Sequence, residues 1–183
     1  MAQNTKSFVP ECYIDTNLAE YLLGVKGVNH QHSCNEVARA MNNGRLKDAF
    51  AVGMIDHDKR MPTYFKDNFK EVGKSEEFAL LKHKSKQQYV IVTGKKEFDA
   101  MDQFILDCAN DAGVDLSEYG LPSELDGFKK VTKQVTSNND SRFKRLFAAL
   151  KETEGMSRLR KILHYLNDNG YKADLQTLKS FFN

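Results

Sequence analysis

Two groups of acidic residues lie at the ends of apolar runs in the first third of the chain. Glu11 and Asp15 follow one short run, and Asp56 and Asp58 follow a second run at 49–55. Carboxylates at the ends of buried strands are a common way to hold a divalent cation at the carboxyl edge of an α/β sheet. Crowded acids also repel one another unless a cation is present. The four acids therefore predict a site for Mg²⁺ or Mn²⁺ that is suited to phosphoryl chemistry.

The order and spacing of these acids resemble the TOPRIM domain, the metal-binding module of topoisomerases, bacterial primases and overcoming-lysogenisation-defect nucleases. In that family a glutamate follows the first strand, commonly as Glu-Gly-x-x-Asp, and an Asp-x-Asp follows a later strand. Here the first motif runs from Glu11 to Asp15, and the second runs from Asp56 to Asp58. The resemblance covers about residues 7–113 and implies a TOPRIM-like fold.

The resemblance also implies roles for the individual acids. Glu11 would be a metal ligand or the general acid/base, Asp56 and Asp58 would hold Mg²⁺ or Mn²⁺, and Asp15 would lie beside them. A second cation would need one more acid, for which Glu97, just after the strand that ends at Thr93, is the first candidate and Glu36 the second. The implied activity is metal-dependent phosphoryl transfer on nucleic acid, either DNA or RNA, with hydrolysis by a nuclease as the leading form.

Basic residues directly after the second acidic motif suit the same chemistry. Lys59 and Arg60 follow Asp58 at once and could contact a scissile or neighbouring phosphate. Lys95 and Lys96 could do the same after the strand that ends at Thr93.

Two residues depart from the family's pattern. Cys12 stands where the family commonly has glycine, and Pro10 directly precedes Glu11. Proline lacks a donor for the sheet ladder, which is unusual at the end of an inner strand, although a strand end does not require that donor.

A second resemblance uses some of the same residues. The string Tyr13-Ile14-Asp15-Thr16-Asn17 is similar to the opening of PIN-domain ribonucleases. That resemblance implies that Asp15 is the first metal ligand and Glu36 the second, in an enzyme that cleaves RNA. The later acids of a PIN domain would then come from about 97–126. This segment contains Asp99, Asp102, Asp107, Asp111 and Asp115.

A third hypothesis is a non-catalytic, TOPRIM-like binding module that acts with a partner protein. The chain has no Gly-x-x-x-x-Gly-Lys-Ser/Thr motif, so nucleotide-driven work would require a partner such as an ATPase.

Composition limits the class of protein. The 183 residues are 40% hydrophobic and 28% charged, which is typical of a folded globular chain. No apolar run approaches the roughly 20 residues that cross a bilayer, so no membrane partner is expected. Three cysteines, an odd number without metal-ligand spacing, favour reduced thiols and a cytoplasmic location.

Charge is distributed unevenly along the chain. Residues 126–183 contain 12 Lys and Arg against 6 Asp and Glu, whereas the first 125 contain 15 against 19. A basic tail beside an acidic site would suit phosphate backbones, although a solvated helical surface explains the same balance.

Hydrophobic periodicity predicts an α/β domain over 1–115, with a mostly parallel sheet flanked by helices, and a helical appendage over 116–183. The predicted strands are 7–14, 49–55, 78–83 and 88–93. The predicted helices of the first domain are 17–23, 33–42, 63–71 and 97–112. Those of the appendage are 123–135, 141–152, 156–168 and 174–182.

Overall fold

The computed structural model describes residues 5–57, 60–94 and 100–183. Within these ranges, five strands form one sheet and eight α-helices pack around it. The strands are β1 (Phe8–Pro10), β2 (Ala51–Asp56), β3 (Phe69–Lys74), β4 (Phe78–His83) and β5 (Gln88–Thr93). The helices are α1 (Tyr13–Leu23), α2 (Cys34–Asn42), α3 (Thr63–Asn68), α4 (Met101–Ala112), α5 (Leu125–Thr132), α6 (Ser141–Leu150), α7 (Glu154–Asn169) and α8 (Leu175–Ser180).

The α/β class is confirmed, but the expectation of a mostly parallel sheet is wrong. The strand order is β1-β2-β5-β4-β3, in which β1, β2 and β5 are parallel and β4 and β3 are antiparallel to their neighbours. Residues 75–77 join β3 to β4, and residues 84–87 join β4 to β5. Links this short connect antiparallel strands, because a parallel crossover needs a dozen or more residues. The sheet is therefore mixed.

Several boundaries differ from those expected. The first strand ends at Pro10, and α1 begins at Tyr13, so Asp15 lies inside a helix rather than after a strand. The helix expected over 63–71 ends at Asn68 and is followed by β3, which the sequence did not predict. Few apolar residues mark β3, so its alternation is too weak to recognise. Residues 97–99 of the helix expected at 97–112 lie outside the described residues.

The apolar run of β2 is buried because helices cover both faces of the sheet. Val52 and Met54 belong to one hydrophobic cluster, and Ala51 and Ile55 belong to the other. The side with Ala51 and Ile55 is covered by α2 and α3. Here Gly53 permits close packing, since a Cβ at this position would lie 2.8 Å from the Met41 sulfur of α2.

The C-terminal helices cover the opposite face together with α1 and α4. Their apolar side chains belong to the same buried cluster as those of β2 and α1. Phe147 of α6 packs against Tyr21 of α1 with ring centroids 5.6 Å apart, and Phe182 packs against Phe78 of β4 at 5.9 Å. The division at residue 115 stays a prediction, while the helices beyond it share one core with the sheet.

The outer edge of β1 is occupied by the segment that leads to α2. The amide of Asn29 donates to the Phe8 carbonyl at 2.8 Å, and the amide of Gln31 donates to the Pro10 carbonyl at 2.9 Å. Pro10 is the last residue of β1, a position where its missing donor is not required. This segment therefore ends beside the carboxyl end of β1.

Among the described residues, we find no helix with the length and apolar character that crossing a membrane requires.

We expect Phe147→Ala to destabilise the whole chain, because Phe147 is fully buried between the C-terminal helices and α1. Removing a buried aromatic ring costs about 3–5 kcal/mol of unfolding free energy. Urea unfolding followed by circular dichroism and by tyrosine fluorescence should show one shared transition at lower urea. Val135→Ala, at a side chain that is 69% exposed, is the matched control. Two separate transitions would show that 116–183 folds independently.

Candidate metal centre

Three parallel strands end together at the carboxyl edge of the sheet. Pro10 of β1 is paired with Met54, and Asp56 of β2 is paired with Thr93 of β5. The ladder continues past β1, where the amide of Glu11 donates to the Met54 carbonyl at 2.9 Å. Helices α1 and α4 both begin near this edge, so their N-terminal amides lie beside the strand ends.

Glu11 and Asp56 are in direct contact, as the sequence predicted for neighbouring strand ends. The amide of Asp56 donates to Oε2 of Glu11 at 3.1 Å. Cys12 then caps α1 in an extended conformation, with φ −132° and ψ 177°. An L-residue adopts this conformation without strain, so this turn does not require the family's glycine.

Asp15 is a fully buried carboxyl group with one unsatisfied oxygen. Its exposed fraction is 0%. Oδ2 accepts a hydrogen bond from the Cys12 amide at 3.2 Å, whereas Oδ1 has no hydrogen-bond partner among the described residues. Burial raises the pKa of Asp15 well above its ordinary value, and the charges of Asp56 and Glu11 raise it further. Burying an acceptor without a hydrogen-bond partner destabilises the fold, and a ligand or a proton bound at this oxygen would offset that cost.

Asp56 connects β2 to the start of α4. Its Oδ1 accepts from the Met101 amide at 2.9 Å and from the Thr93 hydroxyl at 3.2 Å. Burial raises the pKa of Asp56 to about 6, although the hydrogen bond from Met101 acts in the opposite direction. Both bonds also fit an ordinary capping role at a helix N-terminus.

Asp102 is a fourth acid near this edge, and the TOPRIM-like ligand set did not include it. It is buried in the first turn of α4, where its Oδ1 accepts a hydrogen bond from the Thr132 hydroxyl at 2.5 Å. Burial raises the pKa of Asp102, and its charge raises the pKa values of Asp15 and Asp56. The PIN-like alternative had named Asp102 among the later acids. The sequence did carry a signal for Asp102, because this aspartate follows β5, the third of the parallel strands.

Lys129 of α5 is a second residue that sequence reasoning missed. Its charge lowers the pKa values of both Asp56 and Asp102, which identifies it as a cation near the acids. The charge of Lys133, one helical turn later, also lowers the pKa of Asp102. The sequence indicated only a solvated basic surface, because nothing in it shows that α5 packs on α4.

The remaining predicted residues divide into two sets. Six lie outside the described residues, and their proposed roles stay predictions: Asp58, Lys59, Lys95, Lys96, Glu97 and Asp99. Arg60 is exposed in the turn that follows β2. Glu36 lies in α2, where its carboxylate accepts from the His32 amide at 2.9 Å.

Cys12 does not add a reactive thiolate to this edge. Burial raises the pKa of the Cys12 thiol well above its ordinary value, and the charges of Asp15 and Asp56 raise it further. The thiol therefore stays protonated at neutral pH.

The acids offer the oxygen donors that a hard divalent cation prefers, and the unsatisfied Oδ1 of Asp15 fits such a ligand. Within 5–57, 60–94 and 100–183, however, no three His, Cys, Asp or Glu side chains are grouped closely enough to hold a metal ion. Asp58 and Glu97, the two other acids of the predicted ligand set, lie outside these ranges.

We expect Asp56→Asn to stabilise the metal-free protein at neutral pH. The amide can still accept from Met101 and Thr93, while the buried charge is removed. Because the folded pKa of about 6 exceeds the ordinary value of 3.8, the native state binds the extra proton between these values. The contribution of Asp56 to stability should therefore fall by about 1–3 kcal/mol as pH rises from about 4 to about 6. The variant should lose this contribution, while those of Asp15 and Asp102, whose pKa values are also raised, remain.

Thermal melts of both proteins in EDTA across this pH range measure the effect. Asp111→Asn, at an exposed position near the end of α4, makes the same change in charge away from the edge. A lower melting temperature for Asp56→Asn at neutral pH would instead mean that the charge stabilises the fold as a helix cap.

Comparison of the chain with protein-family models, with curated proteins and with solved structures finds no match. The relationships to TOPRIM and PIN domains thus stay predictions from the sequence.

Proposed function

We propose that this chain is a TOPRIM-like nuclease that uses Mg²⁺ or Mn²⁺ to hydrolyse phosphodiester bonds in nucleic acid. The cation would be held by Glu11, Asp56 and Asp58, with Asp15 beside them and Glu97 for a second ion. Bound there, it would polarise a phosphoryl oxygen and lower the pKa of a water molecule.

The observation that carries this proposal is the state of Asp15. A fully buried carboxyl group with an unpartnered oxygen, beside the charges of Asp56 and Glu11, does not stabilise an apo fold. Proteins retain such arrangements where the acids have a function, because ligands or substrates then complete them.

The protein's own residues have separate tasks in this proposal. Glu11 acts as acid/base or ligand, and the Asp56 amide fixes the direction of its carboxylate. Arg60 and Lys59 contact phosphate oxygens at one side of the acids. Lys129 is an additional candidate for this task, because its charge already acts on Asp56 and Asp102.

A PIN-like ribonuclease is the second candidate, and Asp102 is the observation that favours it. In that arrangement Asp15 and Asp102 would be ligands from separate helices, and both are buried near Asp56. The Glu36 carboxylate, which a PIN-like site would also use, instead accepts from the His32 amide. Cleavage of RNA but not of DNA of the same sequence would favour this candidate.

We expect Mn²⁺ to raise the melting temperature of the wild type by about 5–10 °C. A cation at 100 times its Kd contributes about 2.7 kcal/mol, and each kcal/mol shifts a chain of this size by about 2–4 °C. Asp56→Asn should lose most of this shift, while Asp111→Asn should keep it. Thermal melts with Mn²⁺, Mg²⁺ and EDTA, together with calorimetric titration, provide the measurement.

We expect metal-dependent cleavage of labelled single-stranded DNA or RNA to fall about 100-fold or more in Asp56→Asn. Even the mutation of a residue that only hydrogen-bonds to a metal ligand lowers metal affinity or activity by about 10–100-fold. Saturable Mn²⁺ binding without cleavage of any substrate would favour the non-catalytic binding module. If Mn²⁺ binds weakly and equally to the wild type and to Asp56→Asn, the metal proposal is rejected. The acids would then serve only as helix caps.

A further inference from the structure

A groove runs along α2 on the outer side of β1. The α2 groove, as we name it, has a volume of about 560 Å³, and its lining includes Asn29, Gln31, His32, Arg39, Asn43 and Arg45. The bond from the Gln31 amide to the Pro10 carbonyl fixes one end of the groove beside the carboxyl end of β1. From there it follows the nine residues of α2, or about 13 Å, away from the acidic edge.

The charge of the α2 groove suits phosphate groups. Arg39 and Arg45 are exposed, and within the part of the chain that the structure describes neither guanidinium forms a hydrogen bond or an ion pair. The one carboxylate in the lining, that of Glu36, accepts from the His32 amide at 2.9 Å. Two unpaired guanidinium groups therefore face solvent, and each can donate two parallel hydrogen bonds to the oxygens of one phosphate group.

Aromatic rings occupy the end of the groove that lies nearest to the acids. The His30 ring stacks on Tyr13 with centroids 4.6 Å apart, and the His32 ring meets His30 edge-on at 4.7 Å. His32 is exposed and lines the groove, whereas Tyr13 is the first residue of α1. The ring of His32 is thus held against two supporting rings while part of it remains accessible.

Hydrogen bonds fix the supporting ring of His30. The Thr16 hydroxyl lies 2.8 Å from the Cys12 carbonyl, which can only accept, so the hydroxyl hydrogen is donated there. Nδ1 of His30, 2.8 Å from the same hydroxyl oxygen, must then carry the donating hydrogen. Nε2 is left as a buried acceptor without a partner among the described residues. The aromatic group is therefore rigid and has one hydrogen-bond acceptor unused.

We infer that the α2 groove and the His32 ring bind a single-stranded segment of nucleic acid and lead it to the carboxylates at Glu11 and Asp56. This inference rests on the proposed function and names its substrate as a single strand. A base stacks on His32, and the following phosphates contact Arg39 and Arg45. A duplex keeps its bases stacked internally and offers no free base face to the ring, so single strands are favoured.

Fluorescence anisotropy with labelled oligothymidylate and oligouridylate of about 12 nucleotides tests the inference in EDTA, where no cleavage can occur. We expect Arg39→Ala/Arg45→Ala to weaken binding by about 10-fold and to reduce the slope of log K against log salt by about 1.4, since each phosphate contact contributes about 0.7. His32→Ala should weaken binding by about 5-fold or more. The pair Lys66→Ala/Lys70→Ala removes two exposed charges elsewhere and should stay within about 2-fold of wild type.

Three results would overturn the inference, provided that melting temperatures show all variants to be folded. An equal loss of affinity in the arginine pair and the lysine pair would indicate binding by general surface charge. Duplex binding as tight as single-strand binding, together with no effect of His32→Ala, would exclude stacking of a base on this ring. If the wild type cleaves nucleic acid but the arginine and His32 variants bind the oligonucleotides normally, the groove is rejected while the proposed nuclease function stands. Selective loss of binding in a protein that cleaves nothing would support the groove and reject catalysis.

Discussion

The parallel hydrogen bonding of β1 with β2 and of β2 with β5 determines where the chemically important side chains meet. Parallel strands end on the same side of a sheet, so Glu11, Asp56 and Thr93 come together although long stretches of chain separate them. The helix that follows each of β1 and β5 begins at that same edge, which adds Asp15 and Asp102 to the group. The positions of the described acids at this edge thus follow from two strand pairings.

These acids oppose the stability of the fold that holds them. Burial raises the pKa values of Asp15, Asp56 and Asp102, so each carboxylate is less stable in the native state than in water. The amides at the start of α1 and α4, together with the charge of Lys129, offset part of this cost. The offset is incomplete at Asp15, where one oxygen has no hydrogen-bond partner among the described residues. A fold selected for stability alone would place an amide or an apolar residue there.

The sequence predicts this edge better than it predicts the rest of the molecule. The contact between Glu11 and Asp56 followed from acids at the ends of two apolar runs, and the buried strand β2 followed from its continuous apolar run. Strand β3 could not be found, because an edge strand with few apolar residues has no clear alternation. Lys129 was missed because its proximity to the acids depends on how α5 packs against α4, and helix packing leaves no signal at a fixed spacing. Asp102 was named only in the PIN-like alternative, although its position after β5 was a usable signal.

The segment that covers β1 also determines how the sheet meets other chains. An uncovered edge strand presents a row of amides and carbonyls that can pair with a strand of another molecule and start aggregation. The bonds from Asn29 and Gln31 occupy that row on β1. On the opposite edge, β3 carries exposed lysines and an irregular register at Glu71 to Gly73, both of which hinder strand addition. Both borders of the sheet thus carry features that hinder edge-to-edge association, so the carboxyl edge can stay open to a ligand at a lower risk of polymerisation through a neighbouring strand.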